Sequence, residues 1–330
     1  MEAFVNKDTQ EPGGKRHPHP LITILILSLA ALFCARGQPA SAQLPDGTQD
    51  YTIQLIEPPE GAVAVWYTLM NESGLVAMQY GLPDDDPRFF GHTAVLEKGT
   101  WKNIDVPGSI STGVGAPSSS GCVPVTYVRE EAGGVFAYHS AVYHRGAFTV
   151  IPDHETYQFV LNSMNDRGTL VGVIADPEIP GVYRGVRLNS SLSVFEVFDV
   201  PESSLTAFFG INNASLIVGR YERDGERPGF LYDGRIFTDI SVPGALKTAP
   251  ESINNNKVIA GSYVRGDGSW NGFMLEKGVL KDFTIPAELV TGELYYTLVD
   301  CITDNGRLSG EFGDDNGDHG FIATPKPGRK

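Results

Sequence analysis

The sequence predicts an all-β fold, a six-bladed β-propeller closed by pairing of the N-terminal strand with the last blade. Three observations predict it. The 330 residues include 38 Gly and 22 Pro, a composition that favours turns over helices. One unit recurs with a spacing in the forties, which is typical of blades built from four short antiparallel strands. The last unit lacks a fourth strand, and a β-like segment ahead of the first unit can supply it.

The repeat is recognised by an apolar-Asn turn followed by a short β segment. Ile211-Asn212-Asn213 precedes Val218-Gly219, and Ile253-Asn254-Asn255 precedes Ala260-Gly261 in the same register. The units start near Met70, Pro117, Met164, Ile211, Ile253 and Ile302. Helical repeats of this length would need an apolar period of 3.6 residues, which the sequence does not show.

The fourth unit shows how each repeat divides into strands. We predict strands at 206–210, 216–222, 229–233 and 236–242, with Gly234 in the tight turn before the last of them. The final unit ends after its third strand, at 321–324, so the segment 51–56 is predicted to pair with it and close the ring. One domain therefore spans 43–325, followed by a short tail at 326–330.

The first 42 residues have the pattern of an export signal. Lys7, Lys15 and Arg16 precede an apolar run at 21–35, and a small-x-small cleavage site follows at 40–42. A run of 15 residues is shorter than the roughly 20 that a membrane span needs, so an uncleaved anchor is the minor alternative. We expect a mature chain that starts near Gln43, has no further membrane span, and is secreted to the periplasm or the extracellular space.

Charge and cysteine content restrict the partners. The net charge of −15 argues against nucleic acid and anionic lipid, since both are bound through clustered Lys and Arg. Beyond Cys34 in the leader, Cys122 and Cys301 fall in separate blades, too far apart for a disulfide, so we expect two buried free thiols. We also expect a monomer.

Units four and five resemble the HAF-repeat family of bacterial extracellular proteins. The resemblance is carried by 229–234 (GFLYDG), 237–245 (FTDISVPGA) and 248–254 (TAPESIN), although no unit contains a literal His-Ala-Phe. It implies a propeller-like repeat fold and export. The family has no common activity that could be carried over to this chain.

The channel of the predicted propeller offers candidate catalytic residues. Two positions before each repeat start lie Thr68, Gly115, Asn162, Phe209, Glu251 and Asp300, which simple alternation along the innermost strands places in the channel. Glu251 and Asp300 could share a proton, bind a cation or act as acid and base. The alternative is that they only accept hydrogen bonds in a wet channel. Lys247 could neutralise them, and Lys247, Asn162 and Trp270 are candidate ligand contacts.

The loops offer further candidates. Asp314, Asn316 and Asp318 alternate as oxygen ligands would around Ca²⁺, the one cofactor considered, with an ordinary turn as the alternative. His92, His139 and His319 share one repeat position, which predicts structural hydrogen bonds. Phe89, Phe90 and Trp270 could form an aromatic platform for sugars or cover the loop base. The loops also carry many acids.

No catalytic motif is present: the chain has no Gly-x-Ser-x-Gly, no phosphate-binding loop and no Cys-x-x-Cys. The favoured hypothesis is a secreted binding module for an extracellular macromolecule or glycan, acting through its acidic loops. The alternatives are a hydrolase or lyase on polysaccharides or lactones, using Glu251 and Asp300, and a structural protein of the cell envelope.

Overall fold

The computed structural model describes residues 44–327, except 87, 155–156, 177, 190 and 192–194. The predicted signal peptide at 1–42, with Cys34, and the last residues of the tail therefore lie outside the described residues. Within the described ranges, no helix has the length and the apolar character that a membrane crossing requires.

The predicted all-β fold is confirmed. The described residues form 24 strands, and short 3-10 turns lie at Thr48–Asp50 and Ala287–Leu289. The strands follow one another as antiparallel meanders of four. β1 (Tyr51–Ile56) is set apart and is described after the meanders.

The first meander is β2 (Ala64–Met70), β3 (Val76–Gly81), β4 (His92–Glu97) and β5 (Thr100–Asn103). The second is β6 (Ser111–Val114), β7 (Val123–Glu131), β8 (Val135–His144) and β9 (Ala147–Val150). The third is β10 (Phe159–Met164), β11 (Leu170–Ala175), β12 (Tyr183–Leu188) and β13 (Phe195–Phe198).

The fourth meander is β14 (Leu205–Ile211), β15 (Ile217–Glu222), β16 (Gly229–Tyr232) and β17 (Phe237–Ile240). The fifth is β18 (Lys247–Ile253), β19 (Ile259–Val264), β20 (Trp270–Glu276) and β21 (Val279–Phe283). The sixth is β22 (Tyr296–Ile302), β23 (Leu308–Asp314) and β24 (Gly317–Pro325), with β1 as its fourth strand.

β1 pairs with β24 over its whole length, as the sequence predicts. The antiparallel register runs from Tyr51 opposite Pro325 to Ile56 opposite Gly320. Single parallel residue pairs, Tyr183 with Leu205 and Trp270 with Tyr296, join neighbouring meanders, so the strands group into two sheets of eight and two of four.

The apolar core lies between neighbouring meanders. Val171 of the third meander packs with Phe208 and Phe230 of the fourth, and Val218 of the fourth packs with Phe273 of the fifth. All five side chains are fully buried. Burying a Phe or Val side chain contributes about 1.5–3 kcal/mol, so this interleaving is the main force that stacks the meanders.

The turn between the first and second strands carries a second, polar connection. The side chain of Asn212 accepts a hydrogen bond from the Leu216 N–H at 3.0 Å and donates one to the Asn254 carbonyl of the next meander at 3.1 Å. The same donation from one turn to the next is made by Asn71 to Ser118, Asn165 to Asn212, and Asn254 to Thr303. Four of the six turns are thus ordered by their own Asn and tied to the following turn.

The left-handed backbone conformation in these turns does not fall on the Asn. The positive φ falls three residues later, at Gly74, Gly121, Gly168, Ser215, Lys257 and Gly306. The Asn side chain accepts a hydrogen bond from a backbone N–H of its own turn and donates one to a backbone carbonyl of the next turn. Without these bonds the buried N–H and carbonyl groups would have lost their hydrogen bonds to water and gained none in return.

Cys122 and Cys301 are both free thiols, as predicted. Cys301 is buried, whereas Cys122 is only half-buried, so the expectation of burial holds for one of them. The Cys301 Sγ donates to the Met70 carbonyl at 3.0 Å and so links the sixth meander to the first.

Asn212→Ala removes three side-chain hydrogen bonds, two accepted from the Ala214 and Leu216 N–H groups and one donated to the next turn. We expect the free energy of unfolding to fall by about 2–3 kcal/mol. Asn212→Asp keeps the acceptor and loses the donor, so its free energy of unfolding should lie between those of wild type and Asn212→Ala. Urea unfolding measures these changes. The matched control is Asn316→Ala at an exposed turn, expected within about 0.5 kcal/mol of wild type. Equal losses for Asn212→Ala and Asn316→Ala would contradict this role.

Candidate functional site

Side chains from several meanders meet at a cavity between the first strands, which we call the axial cavity. In β10, β14, β18 and β22 the register shifts by one residue, at Asn162, Phe209, Glu251 and Asp300. A β-bulge of this kind re-aims the extra side chain. All four residues line the axial cavity, together with Tyr67 and Gln79.

Two of the six predicted channel positions are wrong. In β2 the register shift falls earlier, at Trp66, so Tyr67 lines the cavity and Thr68 is fully buried beside it. β6 shows no register shift, and Gly113, Val114 and Ala116 line the cavity while Gly115 does not. The repeat position does not carry over to these two meanders because they lack the bulge that the other four have there.

Glycines in the second strands explain where the bulges occur. A Cβ on Gly172, Gly219, Gly261 or Gly310 would lie 2.0–2.1 Å from a carbonyl oxygen of the adjacent bulged strand. The first two meanders have no bulge at this place and carry Met78 and Val125 there. The repeated glycine was therefore the sequence signal from which the bulges could have been predicted.

Asp300 is paired with a carboxyl group that the sequence reasoning missed, Glu311 on β23. Both are buried, Glu311 to 1% exposure. Burial and the neighbouring Asp300 hold the pKa of Glu311 well above its usual range, while burial raises the pKa of Asp300 to about 6. The Thr68 N–H donates to Asp300 Oδ2 at 3.0 Å and favours its charged form. Burial thus favours the protonated form of Glu311, whereas the hydrogen bond from Thr68 opposes the effect of burial at Asp300.

Glu251 is the second acid of the axial cavity and is half-buried. Burial raises its pKa to about 8, and the charge of Asp300 adds to the effect, while Arg220 and Lys247 oppose it. Glu251 is therefore mostly protonated at neutral pH. The structure thus brings together the two predicted acids, Glu251 and Asp300, each with a pKa raised toward neutrality.

Two cations adjoin these acids. Arg220 is 7% exposed and stacks on Phe209, with 5.8 Å from its guanidinium carbon to the ring centroid. Lys247 is 8% exposed and its Nζ lies 4.6 Å from the Trp270 ring centroid. Burial first, and then repulsion from Arg220, lower the pKa of Lys247 to about 6. Lys247 therefore stabilises the acids less than a full charge would.

A proline accounts for the presence of Arg220. Its position in the second strand is held by Gln79, Thr126 and Ser262 in other meanders. These side chains accept a hydrogen bond from a backbone N–H in the first strand of the next meander, that of Val114, Leu161 and Val299 respectively. The corresponding residue opposite Arg220 is Pro250, which has no N–H to donate. An acceptor is not needed there, so a cation is tolerated.

The axial cavity is small. Its volume is about 40 Å³. A buried water needs about 10–15 Å³ on this measure, so the cavity has room for two or three waters, whereas pockets for organic ligands span roughly 300–1,000 Å³. Glu251 and Asp300 can exchange protons with water there, but a sugar ring or a lactone does not fit between them.

The two acids of the candidate calcium motif accept hydrogen bonds within the protein. Asp314 is buried, and it accepts hydrogen bonds from the Thr291 N–H, the Asn316 N–H and His319. Asp318 accepts from the Tyr296 hydroxyl at 2.5 Å. In the described part of the chain, no group of three or more His, Cys, Asp or Glu is placed to hold a metal ion.

The repeated histidines have the structural role that the sequence predicts. His92 lies 2.6 Å from Asp105 and 3.1 Å from Asp85, and His139 lies 2.9 Å from Asp153. His319 makes the same kind of contact to Asp314. Arg184 takes their place in the third meander, between Asp176 and Asp199. These groups tie loops to strands and are not a shared metal site.

Phe89 and Phe90 do not form a platform for sugars. Both are buried and pack against Phe136 and Tyr138 with ring centroids 5.0 and 5.7 Å apart. Of the three aromatic candidates, Trp270 is the half-buried one.

Gly261→Ala should be severely destabilising, because its Cβ would meet the Ala249 carbonyl oxygen at 2.1 Å. We expect a loss of about 2–4 kcal/mol in the free energy of unfolding, measured by urea titration. Gly266→Ala is the control, since a Cβ there meets nothing within 4 Å. A wild-type midpoint for Gly261→Ala would show that the bulge does not need the glycine.

The buried acids make stability depend on pH. The pKa of Glu251 is raised from 4.5 to about 8, so its stabilising contribution is fully present below about pH 4.5 and is lost as the pH rises through 8. Glu251→Gln mimics the protonated form. In urea unfolding, the variant should match wild type near about pH 5 and exceed it near about pH 9. Glu130→Gln, at an exposed loop, should be no more stable than wild type at the higher pH. An equal gain in stability at the higher pH for Glu130→Gln would refute the assignment to Glu251.

Comparisons with known proteins give no family. No protein-family model matches the sequence, and no curated protein matches it. Three of the solved structures to which the chain is similar show the range of these matches. They are virginiamycin B lyase from Staphylococcus aureus, in a catalytically inactive form with quinupristin, the Aleuria aurantia lectin with Fucα1-6GlcNAc, and the β-propeller domain of a trilobed protease from Pyrococcus furiosus.

The sequence identities are 8%, 9% and 10% and the TM-scores 0.45, 0.48 and 0.48, in the same order. The matches cover 82%, 82% and 81% of this chain, and 99%, 100% and 96% of the respective neighbours. Since each TM-score lies below 0.5, these likenesses carry no argument about blade number, ligand or activity.

Proposed function

We propose that the chain is an exported six-bladed β-propeller that binds an extracellular macromolecule or glycan outside its channel. Each meander is then one blade, and the pairing of β1 with β24 closes the ring. Contacts between the sixth and first meanders support closure. Asp300 accepts from the Thr68 N–H, and Arg307 donates to the Asn71 carbonyl at 3.4 Å.

Export rests on the leader at 1–42 and on the resemblance to HAF-repeat proteins, both read from the sequence. The free thiols are compatible with it, because neither Cys122 nor Cys301 needs a partner for the fold. We propose secretion on this basis.

The small volume of the axial cavity carries the proposal. A cavity of about 40 Å³ excludes any macromolecular ligand, so such a ligand must bind on an outer surface. We define the loop face by the loops that join second to third strands and fourth strands to the next meander. The opposite surface, formed by the other turns, is the turn face. Long loops on a rigid scaffold are where binding sites commonly lie.

The loop face carries the exposed acids of the longest loops. They are Asp84, Glu130, Glu131, Glu178, Asp224, Glu226, Asp267 and Asp315. On the turn face, the hairpins between third and fourth strands carry both signs of charge, with Lys98, Arg145, Arg235 and Lys277 beside the acids Glu97, Asp233 and Glu276. The long loops of the loop face carry the larger group of exposed acids, so the acidic loop face is the proposed binding surface.

A hydrolase or lyase is the second candidate, because Glu251 and Asp300 both have raised pKa values near neutrality, as acid-base groups require. It needs the axial cavity to widen before a substrate can enter. A structural role in the cell envelope, without a small ligand, is the third candidate.

Charge reversal on one face tests the assignment. We expect a triple variant Glu130→Lys, Asp224→Lys and Glu226→Lys to lose binding that wild type shows in a thermal-shift panel of polysaccharides and proteins. Saturation at 100 times Kd adds about 2.7 kcal/mol to stability, which a melt detects. The matched control is Glu97→Lys with Glu276→Lys on the turn face, expected to bind as wild type does.

If the turn-face variant lost binding while the loop-face variant kept it, the binding site would be assigned to the turn face. Turnover of any polysaccharide or lactone that Glu251→Gln and Asp300→Asn both abolish would replace the binding proposal by the enzymatic one.

A further inference from the structure

Exposed apolar side chains mark the start of the first strands. Val63, Ile110, Leu246 and Tyr295 each directly precede a first strand, and their exposures range from 37% to 62%. The backbone N–H of each donates to a carbonyl at the end of the neighbouring second strand, at 2.8–2.9 Å. The backbone at these positions is fixed while the side chain is left in solvent.

These four side chains share one end of the molecule. β18 packs against both β14 and β22, and β22 packs against β2, so the starts of the first strands gather on the loop face around the axial cavity. We call the four side chains the apolar rim. The other large apolar side chains with high exposure include Val150, Val197 and Val279 on fourth strands and Ile236 directly before one, and these lie apart.

Burial of the rim would be favourable. Exposed apolar area at one end of a protein commonly marks an interaction site, because removing apolar surface from water is favourable. Single exposed residues, such as those on the fourth strands, need no partner to explain them.

The charge around the apolar rim is negative. Exposed Glu130, Glu178, Asp224 and Asp267 stand on the surrounding loops. Several of the cations on this face are already paired, as Arg88 is with Asp86 at 2.6 Å, Arg227 with Glu222 at 3.1 Å and Arg265 with Asp282 at 2.7 Å. A ligand bound to the rim therefore lies near acids whose negative charge is not neutralised by these cations.

From this complementarity we propose that the loop face docks a basic polypeptide segment whose apolar side chains cover the rim and whose Lys or Arg side chains meet the surrounding acids. The inference rests on the proposed binding function and names its partner. A neutral glycan would leave the acids unused, and an anionic ligand would be repelled by them. Rim burial supplies affinity, and the acids supply orientation and fast association.

Matched peptides test the chemistry on the full-length exported protein. The probe is a fluorescein-labelled peptide of repeated Lys-Gly-Leu-Gly units. Its controls replace every Lys by Glu, or every Leu by Ser. Fluorescence anisotropy should show binding of the Lys-Leu peptide that weakens as salt is raised, with both control peptides at least about tenfold weaker.

Matched variants locate the contact. Ile110→Asp with Leu246→Asp should weaken the Lys-Leu peptide by at least about tenfold, whereas Ile236→Asp with Val279→Asp at the fourth strands should leave its affinity within about twofold. Circular dichroism and the unfolding midpoint confirm that both double variants fold. These four positions are exposed, so folding is not at risk.

Three results would overturn the proposal: no binding of the Lys-Leu peptide, equal binding of the Lys-Ser peptide, or equal losses in the two double variants. If the peptide fails while a polysaccharide still binds in a manner sensitive to the loop-face acids, the binding function stands and the polypeptide partner is refuted. If both fail, the binding function itself is refuted.

Discussion

The hydrogen bonds that run from turn to turn are the interaction on which the arrangement of the meanders depends. Apolar packing drives the meanders together but is non-directional. A donor such as the Asn212 amide, fixed inside its own turn, accepts only one placement of the next carbonyl. Because the same bond recurs between successive turns, it sets how each meander follows the last, and thereby where the first strands converge.

The placement of the first strands in turn determines what the axial cavity can do. Bulges on β10, β14, β18 and β22 bring Asn162, Phe209, Glu251 and Asp300 to the same cavity, and the glycines opposite them leave room for the displaced carbonyls. The result is a narrow cavity in which burial raises the pKa values of Glu251, Asp300 and Glu311. Such a cluster lowers stability as the pH rises, and no large ligand can reach it to compensate.

Much of the fold could be predicted from the sequence, because the repeat, the turn glycines and the separated segment 51–56 are all properties of spacing. The candidate site was only partly predictable. Glu251 and Asp300 were found through their repeat position. Glu311 was missed, because it lies on a second strand and only a burial pattern could identify it. Tyr67 was missed because a bulge at Trp66 shifted the register by one residue.

The pairing of β1 with β24 joins two segments that lie at opposite ends of the folded chain, with Tyr51 opposite Pro325. Contacts so distant in sequence carry a large loop-closure entropy and slow the folding of β proteins. Every other meander can be completed as soon as its own four strands have been synthesised. The sixth must wait for the end of the chain, and β1 has an unpaired edge until then. A chain translocated from its N-terminus would therefore expose β1 longest, which makes this strand the point most open to aggregation or to capture by a chaperone.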